Sequence, residues 1–224
     1  MINLIFSSLT ALIFIPNFWI LKAAEPNASE DIKLQVRVHR FQSNEEPRLN
    51  CSLSDDEIRQ QFVTVNQTWA QAGIVWEIES IVDVVAKDPE AFTKAMNTPN
   101  GKLGPPLKSN MPRNHLLKDG FNVAIAEDYG KRMGGVFAAA EDGLVFYAKK
   151  GPKGVQTPAV LAHEFGHALG LPHTIFEKDN NLMMGSGAGR IPTLVKPITT
   201  SQIEIARDRQ AFLTGEDTTA GKIS

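Results

Sequence analysis

The chain has 224 residues, of which 42% are hydrophobic and 21% charged, and its 23 basic and 25 acidic side chains give a formal charge of −2. That balance excludes a polybasic nucleic-acid binder or a basic membrane-surface patch, so neither partner is expected. A domain of this size buries roughly 70% of its unfolded surface and needs no disulfide staple, and the single cysteine, Cys51, can form no internal one.

Ile2 to Leu21 is apolar and nearly uncharged, and the small residues Ala23 and Ala24 precede a polar stretch. Residues 1–24 read as a secretory signal peptide cut near Ala24. An uncleaved membrane anchor is the alternative, because about 20 apolar residues can span a bilayer. Pro16 and Asn17 interrupt the run and favour the signal peptide. Either way residues 25–224 are expected to form a single domain outside the cytoplasm, with no membrane partner once the signal is removed.

Ile32 to Phe41 alternates: Ile32, Leu34, Val36 and Val38 face one way, Lys33, Gln35, Arg37 and His39 the other. This predicts a half-buried strand with His39 on its solvated face. Cys51 follows in a loop, where it reads as a half-buried thiol. Ser54 is the expected N-cap of a helix with Asp55, Asp56 and Glu57 in its first turn, where the helix dipole favours acids. Ile58, Phe62, Val65, Trp69 and Ala72 recur at helical spacing and Gly73 ends the helix. Ile74 to Val85 reads as a second strand. Lys87 to Lys118 opens with a short helix candidate and continues through a Pro-, Gly- and Asn-rich run. It predicts a long surface excursion, with His115 a surface residue. Phe121 to Asp128 is a third strand. Gly134 to Lys150 reads as a hairpin turning at Glu141, Asp142 and Gly143. A helix follows with Thr157 at the N-cap and Pro158 at N1, and a last helix, capped by Thr or Ser, runs to Gly215. Asn27, Asn50 and Asn66 each begin an N-x-Ser/Thr triplet, which has meaning only in a glycosylating pathway.

Three of the five histidines fall in one eleven-residue stretch, "HEFGHALGLPH". His163 and His167 are four apart on the predicted helix, so both rings face one point. Glu164 sits beside the first of them, where a carboxylate suits a general base acting on an activated water. Gly170 accepts positive φ, ends the helix and turns the chain back so that His173 can supply a third nitrogen. Three nitrogen ligands with an open fourth position make a zinc site of the catalytic type. By average residue frequencies, HExxHxxGxxH has a chance expectation on the order of 10⁻⁵ in a chain this long, which sets it apart from a bare HExxH.

This signature resembles that of the metzincin metallopeptidases, and the chain is closest in style to their matrixin-like members. The resemblance implies an α+β fold. A mixed, mostly parallel five-stranded sheet would pack on two long helices in an upper lobe, about residues 31–170. A small lower lobe, about residues 171–215, would carry a methionine turn and the final helix. Met183 in "NNLMMGSG" best matches the methionine beneath the zinc, and Met184 is the alternative. The implied activity is zinc-dependent hydrolysis of extended polypeptides, with Glu164 as general base and His163, His167 and His173 as ligands. Gly170 and Met183 are supporting residues. An edge strand at Val136, Phe137 and Ala138 would pair with substrate. Ile191 and Pro192, or alternatively Arg190, would line the pocket for the residue after the cut. Only His39 and His115 remain elsewhere, so a single zinc is expected. "EKDNN" at Glu177 to Asn181 offers oxygen atoms for calcium, with a plain polar turn the simpler reading. Two rival functions stand beside this one: a non-catalytic zinc-binding or adhesion module on the same fold, and a membrane-anchored sheddase.

Overall fold

The computed structural model describes residues 31–130, 133, 135–139, 143–152, 154–174, 181–184 and 195–214. The expected signal segment, the tip of the hairpin, most of the calcium candidate (177–180) and the pocket residues Arg190, Ile191 and Pro192 lie outside them. In chain order the elements are β1 (Ile32–Gln42), α1 (Asp55–Trp69), β2 (Ile74–Val85), α2 (Pro89–Asn97), α3 (Gly104–Asn110), β3 (Phe121–Asp128), β4 (Gly135–Ala139), β5 (Leu144–Gly151), β6 (Gly154–Val155), α4 (Pro158–Ala168) and α5 (Thr200–Thr214). Among the described residues no helix is long and apolar enough to cross a membrane.

The fold is α+β, built on one mixed sheet in the order β2-β1-β3-β5-β4. The β1–β2, β1–β3 and β3–β5 pairs are parallel, whereas β4 runs antiparallel to β5 at the end of the sheet. The sheet has six strands where five are expected, because the two-residue β6 also pairs with β5. Two residues are too short to show any alternation, so the sequence pattern carries no trace of β6.

The start of α1 follows from its sequence. The Ser54 hydroxyl accepts from Glu57 N at 3.2 Å, and the Glu57 carboxylate accepts from Ser54 N at 2.8 Å. This reciprocal capping box satisfies two of the donors that a helix start leaves open. Ile58, Phe62, Val65 and Trp69 are buried against the sheet, the last turn tightens into a 3-10 segment at Ala70–Ala72, and Gly73 ends it at φ 62°. The side chain of Asn66 bridges to β2, donating to Trp76 O and accepting from Trp76 N. Its amide is therefore engaged within the fold, and the triplet it begins is helix rather than an open glycan acceptor.

The sheet is covered on both faces. Leu34, Val36 and Val38 of β1, Val123 and Ile125 of β3, and Val145 and Tyr147 of β5 pack with α1 and α4 in the larger core. On the other face Phe41, Ala124, Ala126, Phe146 and Ala148 pack with Phe92, Leu103, Leu107 and Met111. The excursion from Lys87 to Lys118 thus holds a second helix, α3, and supplies the cover for that face. The Pro-Gly composition that predicts an irregular segment here is consistent with a short helix, because Pro105 and Pro106 occupy the first turn of α3, where no N–H is required.

This cover corrects the reading of His39. Lys33 and Gln35, at the start of the polar face of β1, make exposed contacts with Glu77 across β2. His39 and Phe41, farther along, are fully buried. His39 Nε2 donates to Asn122 Oδ1 at 3.0 Å, and that amide also accepts from Leu117 N and donates to Leu117 O. His39 Nδ1 is buried without a partner. Burial outweighs the Asn122 hydrogen bond and lowers the ring pKa to about 4.

The folded pKa lies below the unfolded value near 6.5, so the unfolded chain takes up the proton first as pH falls. Stability held above pH 6.5 is lost on the way down to pH 4, by up to about 3 kcal/mol for a shift of this size. Denaturant titrations of wild type and His39→Gln at both ends of that window should show the wild type losing more stability by roughly this amount. An equal loss in both proteins would contradict the assignment.

Candidate metal centre

The helix that carries the sequence signature is fixed from behind. Ala159 to Gly166 of α4 are all buried. Phe165 stacks on Trp76 with ring centroids 3.8 Å apart and 11° between planes, and it meets the edge of Phe62 at 5.9 Å. Trp69 Nε1 donates to Ala162 O at 3.2 Å. Offset and edge-to-face aromatic pairs add about 0.5–1.5 kcal/mol each to the area they bury. With Phe165 held in the core, the helical period sets where His163 and His167 point. Thr157 precedes Pro158 at the helix start as expected, but its side chain makes no capping bond and its hydroxyl is buried without a partner.

The end of α4 is a Schellman turn. Leu171 N donates to Gly166 O and Gly170 N to His167 O, both at 2.9 Å, with Gly170 at φ 84°. That left-handed conformation favours glycine, and the paired bonds satisfy carbonyls that the helix leaves open. The turn also brings Leu171 O within 2.8 Å of His167 Nδ1. One glycine therefore reverses the chain toward His173 and supplies the carbonyl that orients His167.

The short segment Asn181–Met184 closes the site from below. Leu182 O lies 2.7 Å from His163 Nδ1. Thr174 N, next to His173, donates to Met183 O at 2.9 Å, and Thr174 forms an isolated parallel bridge with Met184. Met183 is fully buried beneath α4. A Cβ on Gly166 would overlap the Met183 sulfur and lie 3.0 Å from its Cε, so the methionine seats against the one residue of the helix that leaves room for it. Met184 is only partly buried.

The carbonyl partners of His163 and His167 fix their tautomers. A carbonyl only accepts, so each Nδ1 carries the proton and each Nε2 presents a lone pair. Those lone pairs face the third ring: His173 Nε2 lies 3.2 Å from His163 Nε2 and 3.0 Å from His167 Nε2. Three ligand nitrogens, one from each ring, lie within 4.8 Å of one another. Nitrogens of a tetrahedral zinc with bonds near 2.0–2.1 Å stand about 3.3 Å apart, close to the two separations from His173 Nε2. Burial lowers the His163 ring to about pKa 4, and it lowers His167 as well. Both shifts favour the neutral, metal-binding form over the imidazolium. His163 is buried, His167 half-buried and His173 exposed, so the cluster opens on the His173 side.

Glu164 is 6% exposed and lies against the edge strand. A Cβ on Gly135 would come within 2.7 Å of Glu164 Cγ and 3.0 Å of its Oε1. Of the expected substrate strand, Val136 is half-buried in β4. Phe137 and Ala138 belong to β4 by backbone, and their side chains fall outside the described residues. His115 is exposed in a 3-10 turn, as expected. Cys51 is buried rather than half-exposed, and burial raises its thiol to about pKa 11, which leaves it protonated and inert.

Gly135, Gly166 and Gln202 are not singled out in the sequence, and Asn181 is read there only as part of the methionine-turn motif and of the calcium candidate. Gly166 carried a signal, since glycine inside a helix costs about 1 kcal/mol and invites a packing reason. Gln202 carried another, since Thr199 with Gln202 three residues on is a capping-box pattern. Gly135 carried none, and neither did the pairing of Asn181 with Gln202, because both depend on contacts remote in sequence.

The sequence profile of the matrixin family of peptidases matches residues 28–186, well over half of the chain. No curated protein matches it. Among solved structures, metalloproteinase-II from Bacteroides fragilis superposes with a TM-score of 0.50 at 12% identity, over 82% of this chain and 55% of that one. A chain from a structure described as a chaperone–substrate complex overlaps 84% of this chain and 35% of its own length, with a TM-score of 0.47 at 13% identity. The chain therefore spans little more than half of one of these structures and about a third of the other.

The Gly166–Met183 contact can be tested directly. Alanine at 166 gains about 1 kcal/mol of helix propensity over glycine. The overlap with the Met183 sulfur should outweigh that gain, so thermal melts of Gly166→Ala should show a lower Tm than wild type. A higher Tm would mean that the close approach is unimportant.

Proposed function

The chain belongs to the matrixin family, and from that premise we propose that it is a zinc-dependent endopeptidase acting on extended polypeptides. The observation that carries this reading is the convergence of three histidine Nε2 atoms beside a buried glutamate and an edge strand. His163, His167 and His173 would hold the ion. Bound zinc supplies Lewis acidity, lowering the pKa of a water from 15.7 to about 7 and polarising a carbonyl.

The remaining work falls to the chain's own residues. The Glu164 carboxylate accepts a proton from the attacking water and returns it to the leaving amine nitrogen. Gly135 leaves room for that carboxylate against β4. β4 ends the sheet, so its outer backbone groups suit pairing with an extended peptide as an added strand, positioned by Val136, Phe137 and Ala138. Beyond the methionine turn, Ile191 and Pro192 would supply an apolar wall for the residue after the cut, with Arg190 as the alternative lining. Residues 1–24 would direct the protein out of the cytoplasm. One zinc accounts for the clustered histidines among the described residues; His39 is engaged with Asn122, and His115 stands exposed.

Two substitutions separate catalysis from mere zinc binding. Glu164→Gln keeps the shape and all three histidines but has no basic carboxylate. It should retain zinc while cleavage of unfolded casein falls by about 10²–10⁴-fold. Gly135→Ala should also retain zinc and lose activity, because its methyl displaces Glu164. The wild type must show chelator-sensitive cleavage restored by zinc. Equal activity of wild type and Glu164→Gln at equal zinc content would mean that the fold serves recognition instead. A second test concerns the ligands: alanine at His163, His167 or His173 should each remove most bound zinc by metal analysis, and full occupancy in any one would remove that residue from the site.

A further inference from the structure

A pair of buried amides joins the methionine turn to the last helix. Asn181 is 2% exposed and Gln202 9%. Asn181 Nδ2 donates to Gln202 Oε1 at 2.9 Å, and Gln202 Nε2 donates to Asn181 Oδ1 at 3.1 Å, so each amide both gives and receives. Each also grips a backbone nitrogen. Asn181 Oδ1 accepts from Met183 N at 2.8 Å, and Gln202 Oε1 accepts from Thr199 N at 2.9 Å. Gln202 N in turn donates to Thr199 Oγ1 at 3.3 Å, which completes a capping box at the start of α5.

The backbone held by this pair is the backbone that orients the histidines. Leu182, between Asn181 and Met183, offers its carbonyl to His163 Nδ1, and its own N–H donates to Pro197 O at 2.9 Å. Met183 O accepts from Thr174 N, the residue after His173. A displacement of Asn181 is therefore transmitted to two of the three ligands, with Leu182 O and Met183 O as the intermediates. Outer partners that orient a ligand's second nitrogen set metal affinity, and removing one typically weakens binding by about 10–100-fold.

We propose that Gln202, on a helix that supplies no ligand, is a positioning residue of the metal centre, acting through Asn181. The inference rests on the zinc site proposed above and adds that its affinity is set in part from α5. Neither amide titrates, so the clamp holds its geometry wherever the histidines are neutral.

The test compares Gln202→Ala, Gln202→Glu and Thr199→Ala. Gln202→Glu keeps an acceptor for Thr199 N but loses the N–H that Asn181 Oδ1 receives. Thr199→Ala removes the other half of the cap and leaves the amide pair intact. Zinc affinity is read by chelator competition, and ligand geometry by the visible absorption of the cobalt-substituted protein. The expectation is a 10–100-fold weaker affinity and an altered cobalt spectrum for both Gln202 variants. Thr199→Ala should show a lower Tm with wild-type affinity and spectrum. Wild-type affinity in both Gln202 variants would overturn the proposal, and so would an equal loss in Thr199→Ala, which would reduce Gln202 to a helix cap. Failure of the wild type itself to bind zinc or cobalt would instead overturn the zinc site on which the proposal rests.

Discussion

Three imidazole nitrogens held facing one point is the arrangement around which the rest of the molecule is organised. Two acceptors at 3.0–3.2 Å repel unless a cation or a shared proton lies between them. The chain enforces this crowding from outside. Leu182 O and Leu171 O hold the protons of His163 and His167 on the outer nitrogens, which leaves the inner ones to a metal. Burial adds to this by disfavouring the imidazolium.

Each outer carbonyl lies on backbone that is itself constrained. Leu171 follows a Schellman turn that needs the positive φ of Gly170. Leu182 sits in a short turn tied to Pro197 O, to Gln202 through Asn181, and to α4 through Met183 and Gly166. The helix between them is immobilised by the Phe165–Trp76 stack and by the Trp69 indole bonded to Ala162 O. The sheet sets the remaining coordinate. It is buried on both faces along β3 and β5, and it ends in β4, whose glycine lies against Glu164. Ligands, carboxylate and edge strand are thus positioned by three different parts of the chain that meet only on folding.

The parts legible in the sequence are those in which one physical rule dominates locally. β1, β2 and β3 show apolar alternation or a continuous apolar run, and α1 carries both a capping signal and a helical stripe. The histidine spacing of α4 satisfies a helical period and a glycine turn at once. Where long-range cover decides, local pattern misleads. His39 alternates as a surface residue should, yet it is fully buried, bonded to Asn122, whose amide is held by the backbone of Leu117. The Pro-rich run before Met111 reads as irregular, yet its prolines fit the first turn of α3. The space that Gly135 leaves and the bridge from Asn181 to Gln202 have no signature, since both depend on residues far away in sequence. The same limit explains why Gln202 is visible as a cap and invisible as a partner of the methionine turn.

The zinc site we propose is open, with three histidines and no other protein ligand. X-ray absorption at the zinc edge of the purified, zinc-loaded protein tests it most directly. The account predicts three imidazole nitrogens and one further light atom, all at about 2.0–2.2 Å, with no sulfur in the first shell. A sulfur scatterer near 2.3 Å, or a fourth imidazole closing the shell, would contradict it.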